Sequence, residues 1–504
     1  LTNAKRIDKD GEKPLDQFTR DAVLNKKRGL PENTITDNLI IKGNNLLALH
    51  TLKEEFTGKV KLIYIDPPYN TGGDANIFTY NNTFNHSTWL TFMKNRLTIA
   101  RDFLSNDGFI AIAIDHYELG YLITLTDEIF GQENRLGIIS VVNNPMGRNQ
   151  AKYFSTVNDF MLVYSKNNEF AQFNNVILNG DFLNTFDCED EQGKYKLQNF
   201  IRVGGGDANL KVNKQTFWYP IYVSPDFDKI TLDKKENFFE IYPITSTGQE
   251  RTWKLSKNST EKILHELIAE KGSNGVISIM EKYRVEKGQK VPTIWSDKKY
   301  NANHNGIRLL EKIIGNKNFS FPKSLYTVLD TVKLLTGPND IVLDFHAGSG
   351  TTGHAVLELN KEDGGKRQFI MVEQLTEHIN VCNKRIEKVL GLNNLKSSFI
   401  YFELKKYNQS FIEQIENTKE AIELLQIWEQ MKAKSFLNYN VDIKKQDEHI
   451  EEFKALTLAE QKQHLCELLD KNQLYVNLSS LNDADFACTE EEKKVTKDFY
   501  QIKK

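Results

Sequence analysis

Cysteine is scarce. Four occur in 504 residues, at Cys188, Cys382, Cys466 and Cys488, and no two form a Cys-x-x-Cys pair. That argues against a disulfide scaffold or a zinc ribbon, predicts no metal site, and fits a reducing cytoplasm. Long hydrophobic runs are also missing. None approaches the ~18 residues of a membrane span, so no membrane partner is expected. An excess of one charge is missing too: 65 Lys and Arg stand against 68 Asp and Glu, a net of −3. Such a balance neither demands nor excludes nucleic acid, for which a local basic face is enough. No signal peptide is expected, because Leu1–Phe18 carries Lys5, Arg6, Asp8, Lys9 and Asp10. The chain opens at Leu1 rather than Met, so a few preceding residues are expected to be missing. There is no internal repeat and no low-complexity segment.

What is present is 39% apolar and 11% aromatic residues, enough to bury a large core. The length predicts about three domains. Residues 1–36 are polar and read as an N-terminal arm. An α/β stretch over 37–165 contains the buried strand Val60–Ile65, a helix over Phe92–Leu104, and strands at Phe109–Ile114 and Phe160–Tyr164. Between 166 and 300 glycines, aromatics and charges mix. This predicts an inserted, mostly β domain with one helix near Thr260–Lys271. A second α/β stretch over 301–395 has strands at Ile341–Phe345 and Phe369–Val372. The tail, 396–504, reads as helical, with 16 Lys and Arg against 20 Asp and Glu.

Two turns carry chemistry. Strand Ile341–Phe345 leads into Gly348-Ser349-Gly350-Thr351-Thr352-Gly353 and a helix, and Glu373 ends the next strand. Glycines let the backbone turn sharply and a ligand come close, and an acid at that strand end can accept hydrogen bonds from two ribose hydroxyls. A nucleoside-containing cofactor is expected. A dinucleotide would place pyrophosphate on the helix N-terminus. S-adenosylmethionine has no phosphate, and its ammonium would suit Asp344, which tilts the reading towards it. A tight structural turn is the bland alternative.

The second turn is Asp66-Pro67-Pro68-Tyr69, at the end of strand Leu62–Ile65. Two prolines stop the ladder and make a rigid lip. The lip offers two acceptors, the Asp66 carboxylate and the Pro67 carbonyl, beside the Tyr69 ring. An exocyclic amino group on a planar base needs that arrangement: two acceptors for its N–H bonds and a ring to stack on, worth roughly 1–3 kcal/mol. A base in a duplex reaches such a cleft only when flipped out.

Asp-Pro-Pro-Tyr with a Gly-Ser-Gly turn resembles the amino-methylating DNA methyltransferases. The catalytic turn precedes the cofactor turn, with a large insertion between them. That order resembles the circularly permuted β-group, and the supporting segments 39–49, 155–164, 293–302 and 321–325 resemble the modification subunit of Type III restriction–modification systems. The resemblance implies a Rossmann-like S-adenosylmethionine-dependent α/β sheet, an inserted target-recognition domain and a helical C-terminal region. It implies that Asp66, Pro67, Pro68 and Tyr69 work on the base, with Asp rather than Ser favouring adenine N6 over cytosine N4. It implies that Asp344, Phe345, Ala347, Gly348, Gly350, Thr351 and Thr352 line the cofactor, with Glu373 and Gln374 at its ribose. Phe321, Lys323 and Ser324 would border its methionine end, and Lys42 and Asn44 would lie near its adenine. Many relatives have Gly-Asp where this chain has Gly43-Asn44. His346 is expected at the pocket edge.

The insertion is where the β-group keeps target recognition. Residues Thr245–His304 hold 11 Lys and Arg against 7 Asp and Glu. Arg202, Arg251, Lys254, Lys257, Arg284, Lys287 and Lys290 are candidate phosphate contacts, with Trp218, Tyr219 and Trp253 interleaved. The Gly204–Gly206 loop is a candidate mobile element. In the tail, Phe411, Ile415, Ile422, Leu425, Trp428 and Met431 recur at helical spacing over 411–436. An acidic helical region suits a partner better than DNA, and the resemblance adds a homodimer and a helicase–endonuclease restriction subunit. The expected reaction is direct transfer to the amino nitrogen of double-stranded DNA. No Ser-His-Asp or Cys-His set is seen that would make a covalent intermediate. The alternatives are a solitary or Type II β-group enzyme, a cytosine-N4 methyltransferase, a non-catalytic DNA-binding protein, and a nicotinamide-dependent oxidoreductase.

Overall fold

The computed structural model describes all residues except 1, 71–85, 148–152, 179, 203, 205, 273–274, 316–318, 320, 405–408, 435–445, 448 and 469–504. The chain forms two compact units, residues 1–174 with 292–504, and residues 175–291. Among the described residues no helix is long and apolar enough to cross a membrane.

The first unit is built on one sheet of eleven strands. Six central neighbours run parallel: Leu104–Ile114, Val60–Ile65, Ile341–Asp344, Gln368–Glu373, Asn38–Lys42 and Phe399–Glu403. Strands such as Ile341–Asp344 and Gln368–Glu373 are buried throughout, which is why they read as unbroken apolar runs. The edge beyond Leu104–Ile114 turns antiparallel at Asp159–Ser165. Helix His86–Phe103 buries Trp89, Met93, Leu97, Ala100 and Phe103, a stripe at three- and four-residue spacing, in a core shared with Ile63, Ile65, Leu343 and Phe345.

The sheet departs from the sequence expectation at its ends. Residues 2–8 and 11–14, within the expected arm, are strands that extend the sheet beyond Phe399–Glu403, so their polar residues cover an edge rather than a tether. On the other edge Ile294–Trp295 pairs with Arg135–Val141, so residues 292–300 lie in the first unit, and so do 166–174.

The second unit holds a four-stranded sheet, a three-stranded sheet and a two-stranded ladder around Phe200, Tyr219, Ile221, Val223, Trp253 and Ile279. The helix expected near 260–271 is only Lys257–Glu261. Leu267–Lys271 is a strand against Ile277–Arg284, because pairing there outweighs helical spacing.

In the tail, the apolar spacing over 411–436 belongs to two helices, Gln409–Asn417 and Ala421–Lys434. The break between them shifts the phase. Ile422 is 61% exposed, while Leu424 and Ile427 join Phe411, Ile415, Trp428 and Met431 in a separate cluster. Residues 435–436, Gly205 and Cys488 lie outside the described residues.

Candidate active site

Neighbouring strands bring the two turns together. Val342 pairs with Leu62 and Leu343 with Ile63, in parallel. The carboxyl ends of Val60–Ile65 and Ile341–Asp344 are therefore side by side, and so are Asp66 and the glycine turn. They are 278 residues apart in sequence (344 − 66), yet adjacent at the rim where ligands of open α/β sheets bind.

The Asp66–Tyr69 lip is pinned from below. The fully buried Trp89 donates its Nε1–H to the Pro68 carbonyl at 2.8 Å. Asn70 adopts a left-handed backbone (φ 56°), a region asparagine tolerates, and its side-chain amide donates to the buried Glu118. The Asp66 side chain stays 28% exposed. Burial raises its pKa above the ordinary carboxylate value, against the pull of the Lys323 ammonium. Burial also lifts the Tyr69 phenol well above its usual range, with Asp66 adding to the effect. Tyr69 is thus a neutral ring and hydroxyl at working pH, suited to stacking.

Lys323, expected at the cofactor's methionine end, lies against this lip. Its ammonium donates to Asp159 Oδ2 at 2.8 Å and to the Tyr69 hydroxyl, and is 3.4 Å from Asp66 Oδ1. Neither Asp159 nor Trp89 was singled out from the sequence. The available signal was Asp159, a charge opening the apolar strand Asp159–Ser165.

The glycine turn is braced by several residues expected to line the cofactor. Asp344 is 3% exposed; its Oδ1 accepts from the His346 amide and its Oδ2 from the Thr352 hydroxyl. Glu373 accepts from the amides of Gly348, Gln374 and Leu375. Asn44 Oδ1 accepts from the Leu46 and Leu47 amides and caps helix Asn45–Phe56, Lys42 pairs with Glu403, and Ser324 Oγ donates to the Lys299 carbonyl. Phe345 packs wholly in the core, whereas Phe321 is 54% exposed. His346 lies between Phe345 and Phe92, and burial lowers its pKa to about 3, so it is a neutral ring at the pocket edge.

Gly350 requires its glycine twice: φ is 75°, and a Cβ would fall 2.8 Å from Cys382 Sγ. Beneath it the fully buried Arg385 donates to Thr351 Oγ1 at 2.8 Å, Ser349 Oγ at 3.1 Å and His354 Nδ1 at 3.2 Å.

The acids decide what the pocket can hold. Burial pushes the Asp344 carboxyl up to about 7, and repulsion from Asp66 and Glu373 adds to this. The Tyr64 hydroxyl, buried near them, has no hydrogen-bond partner among the described residues. Asp344 and Glu373 beside the glycine turn disfavour a pyrophosphate there and suit a ligand bearing hydroxyls. S-adenosylmethionine, a sulfonium with a ribose, fits that donor set. A nicotinamide dinucleotide does not.

The candidate phosphate contacts are less uniform. Arg284 is buried and forked onto Asp190 and Glu266, which makes it a brace of the second unit. Lys254 and Lys287 both pair with Glu281, Arg202 donates to the Lys254 carbonyl, and Arg251 to the Gly206 carbonyl. Lys257 and Lys290 are exposed. Trp253 and Tyr219 are core, and Trp218 stacks on Tyr242.

A DNA methylase family model matches residues 60–385, which spans both turns. The chain belongs to the DNA methylase family. This DNA methylase is 34% identical to the probable Type III restriction–modification enzyme HindVI Mod subunit of Haemophilus influenzae, over 94% of this chain and 68% of that protein. It is 33% identical to the Type II methyltransferase M.KpnI of Klebsiella pneumoniae, over 67% and 81% of the two chains. It is 32% identical to the Type III EcoPI Mod subunit of Escherichia phage P1, over 68% of this chain and 58% of that one. Among solved structures, the M1.HpyAVI–SAM complex aligns over 69% of this chain and 98% of its own (TM-score 0.33, 16% identity). The PvuII cytosine-N4-specific DNA methyltransferase aligns over 72% and 93% (TM-score 0.37, 13% identity). By the family model and the first of these relatives, the DNA methylase is a DNA methyltransferase of the Type III modification-subunit family.

Proposed function

We propose that this DNA methylase transfers a methyl group to adenine N6 of a base flipped from double-stranded DNA, as the modification subunit of a Type III restriction–modification system. The observation that carries the reading is the side-by-side placement of Asp66–Tyr69 and the glycine turn on adjacent parallel strands.

Bound S-adenosylmethionine would supply an electrophilic methyl group on a sulfonium. Glu373, beside Gly348, would hold its ribose, and the acids of the pocket would favour its positive charge. Asp66 and the Pro67 carbonyl accept the two N–H bonds of the amino group and raise electron density on its nitrogen. Tyr69 stacks on the ring and orients the nitrogen lone pair. Asp66 and the Pro67 carbonyl would hold the amino nitrogen against the donor's methyl group, whose transfer would leave the sulfur as a thioether, until the nitrogen's extra proton leaves to water. Catalysis is positioning and polarisation, with no covalent enzyme intermediate. Pairing with a second copy and with a restriction subunit, and a cytoplasmic location, belong to the same proposal.

The test is to incubate the protein with S-adenosylmethionine and unmodified bacterial DNA, digest to nucleosides and analyse by mass spectrometry. N6-methyladenine is the expected product. N4-methylcytosine would overturn the base assignment. Absence of both, in a protein that binds the cofactor by calorimetry, would overturn transfer by the isolated subunit.

A further inference from the structure

The mechanism above leaves Lys323 without a task. Its ammonium is fixed by Asp159 at 2.8 Å, touches the Tyr69 hydroxyl, and is 4.4 Å from the Tyr69 ring centroid, at the rim of the stacking platform. It is 3.4 Å from Asp66 Oδ1, the acceptor assigned to the target amino group. Burial opposes its charge, but Asp159 and Asp66 outweigh that and hold the ammonium above the ordinary lysine value. The chain beneath is tightly fitted: a Cβ at Gly306 would collide with the Pro322 carbonyl.

An ammonium has three donors and no acceptor. Here one goes to Asp159 and one to Tyr69. The third faces Asp66 until an amino group takes that carboxylate. The ring atom beside the amino carbon of adenine is N1, a bare acceptor on the same edge, and enzymes that act on a flipped base read this edge by hydrogen bonds. We propose that Lys323 donates to adenine N1 while Asp66 holds the amino group, and that Asp159 is the positioning residue that keeps it there. Guanine and thymine carry an N–H on the corresponding edge and would meet the ammonium donor to donor. This inference rests on the amino-methylation reading above.

The test uses a duplex carrying the site mapped by sequencing methylated DNA, with adenine or 1-deazaadenine at the target. The native protein should prefer adenine by roughly tenfold to a hundredfold in kcat/KM, the scale for a buried partner left unpaired. Lys323→Met should methylate both duplexes at similar, lowered rates. Lys323→Arg should recover part of the preference. Asp159→Asn should lose part of it, and adding it to Lys323→Met should cost nothing more. A Lys323→Met protein that keeps the native ratio overturns the proposal, most directly if only its KM for S-adenosylmethionine rises. Should Lys323→Met fail to fold, Asp159→Asn with an unaltered ratio overturns it as well. If the product is N4-methylcytosine, 3-deazacytosine replaces 1-deazaadenine, because cytosine N3 is the equivalent acceptor. A native protein that methylates no base fails the earlier reading; one that treats both duplexes equally fails this one alone.

Discussion

Asp344 separates two accounts of the cofactor turn. From sequence it is the acid that receives the cofactor's ammonium. In the structure both its oxygens are spent inside the turn, on the His346 amide and the Thr352 hydroxyl, and the group is nearly sealed. Asp344→Asn keeps both contacts, since an amide oxygen can accept from His346 and the amide nitrogen can donate to Thr352. What it removes is the charge. Burial raises the Asp344 pKa from 3.8 to about 7. Roughly three units at about 1.4 kcal/mol each make its ionisation cost the fold about 4 kcal/mol. A carboxyl with a raised folded pKa binds its proton more tightly in the folded state. Its contribution to stability is therefore fully present below pH ~4 and is lost as the pH rises through about 7. Asp344→Asn should escape that loss. Its thermal midpoint should exceed that of the native protein at pH 8, with the difference in unfolding free energy shrinking by roughly 2 kcal/mol between pH 7 and pH 5. Paired melts without cofactor across pH 5–8 measure it, and calorimetry at pH 8 measures S-adenosylmethionine affinity. A gap that does not change with pH would refute the burial argument. A variant that is stabilised as expected but loses cofactor binding would restore the ammonium role.

Other outcomes follow from the same geometry. Asp66→Ala should abolish transfer while leaving cofactor affinity largely intact by calorimetry; near-normal turnover would remove its role. Tyr69→Phe should retain most activity and Tyr69→Ala should not, with the loss in KM for DNA; equal losses would show that stacking is not the reason. Arg385→Met strands acceptors on His354 and Ser349, at about 1–3 kcal/mol each, but relieves a buried charge whose pKa burial lowers to about 10, at a cost of roughly 3 kcal/mol. The two nearly cancel, so stability should change little while S-adenosylmethionine affinity falls as the turn loosens; unchanged affinity would show that the turn holds itself. Arg284→Met should lower the thermal midpoint by removing the guanidinium that joins Asp190 to Glu266, leaving Asp190 paired with Lys282, and leave DNA affinity per folded molecule unchanged, in contrast to Lys257→Ala or Lys290→Ala, which should weaken DNA binding and reduce its salt dependence.

The sequence by itself determined the two turns and the strands that lead into them. Asp66-Pro67-Pro68-Tyr69 ends a strand, Gly348–Gly353 turns one into a helix, and buried strands such as Ile341–Asp344 announce themselves as apolar runs, because these are local consequences of proline, glycine and burial on both faces of the sheet. Tertiary structure decided which residues share a corner and which charges face solvent. No local rule joins Leu62 to Val342, moves Lys323 from the cofactor segment to Asp66 and Asp159, or turns Asp344, Thr352 and Glu373 inward as braces. Arg284 reads as a phosphate contact until Asp190 and Glu266 are seen to meet it, and residues 2–14 read as an arm until Phe399–Glu403 offers an open edge. Each outcome depends on a partner far away in sequence. Pairing energies between such partners outweigh the weak local preferences that a single sequence displays.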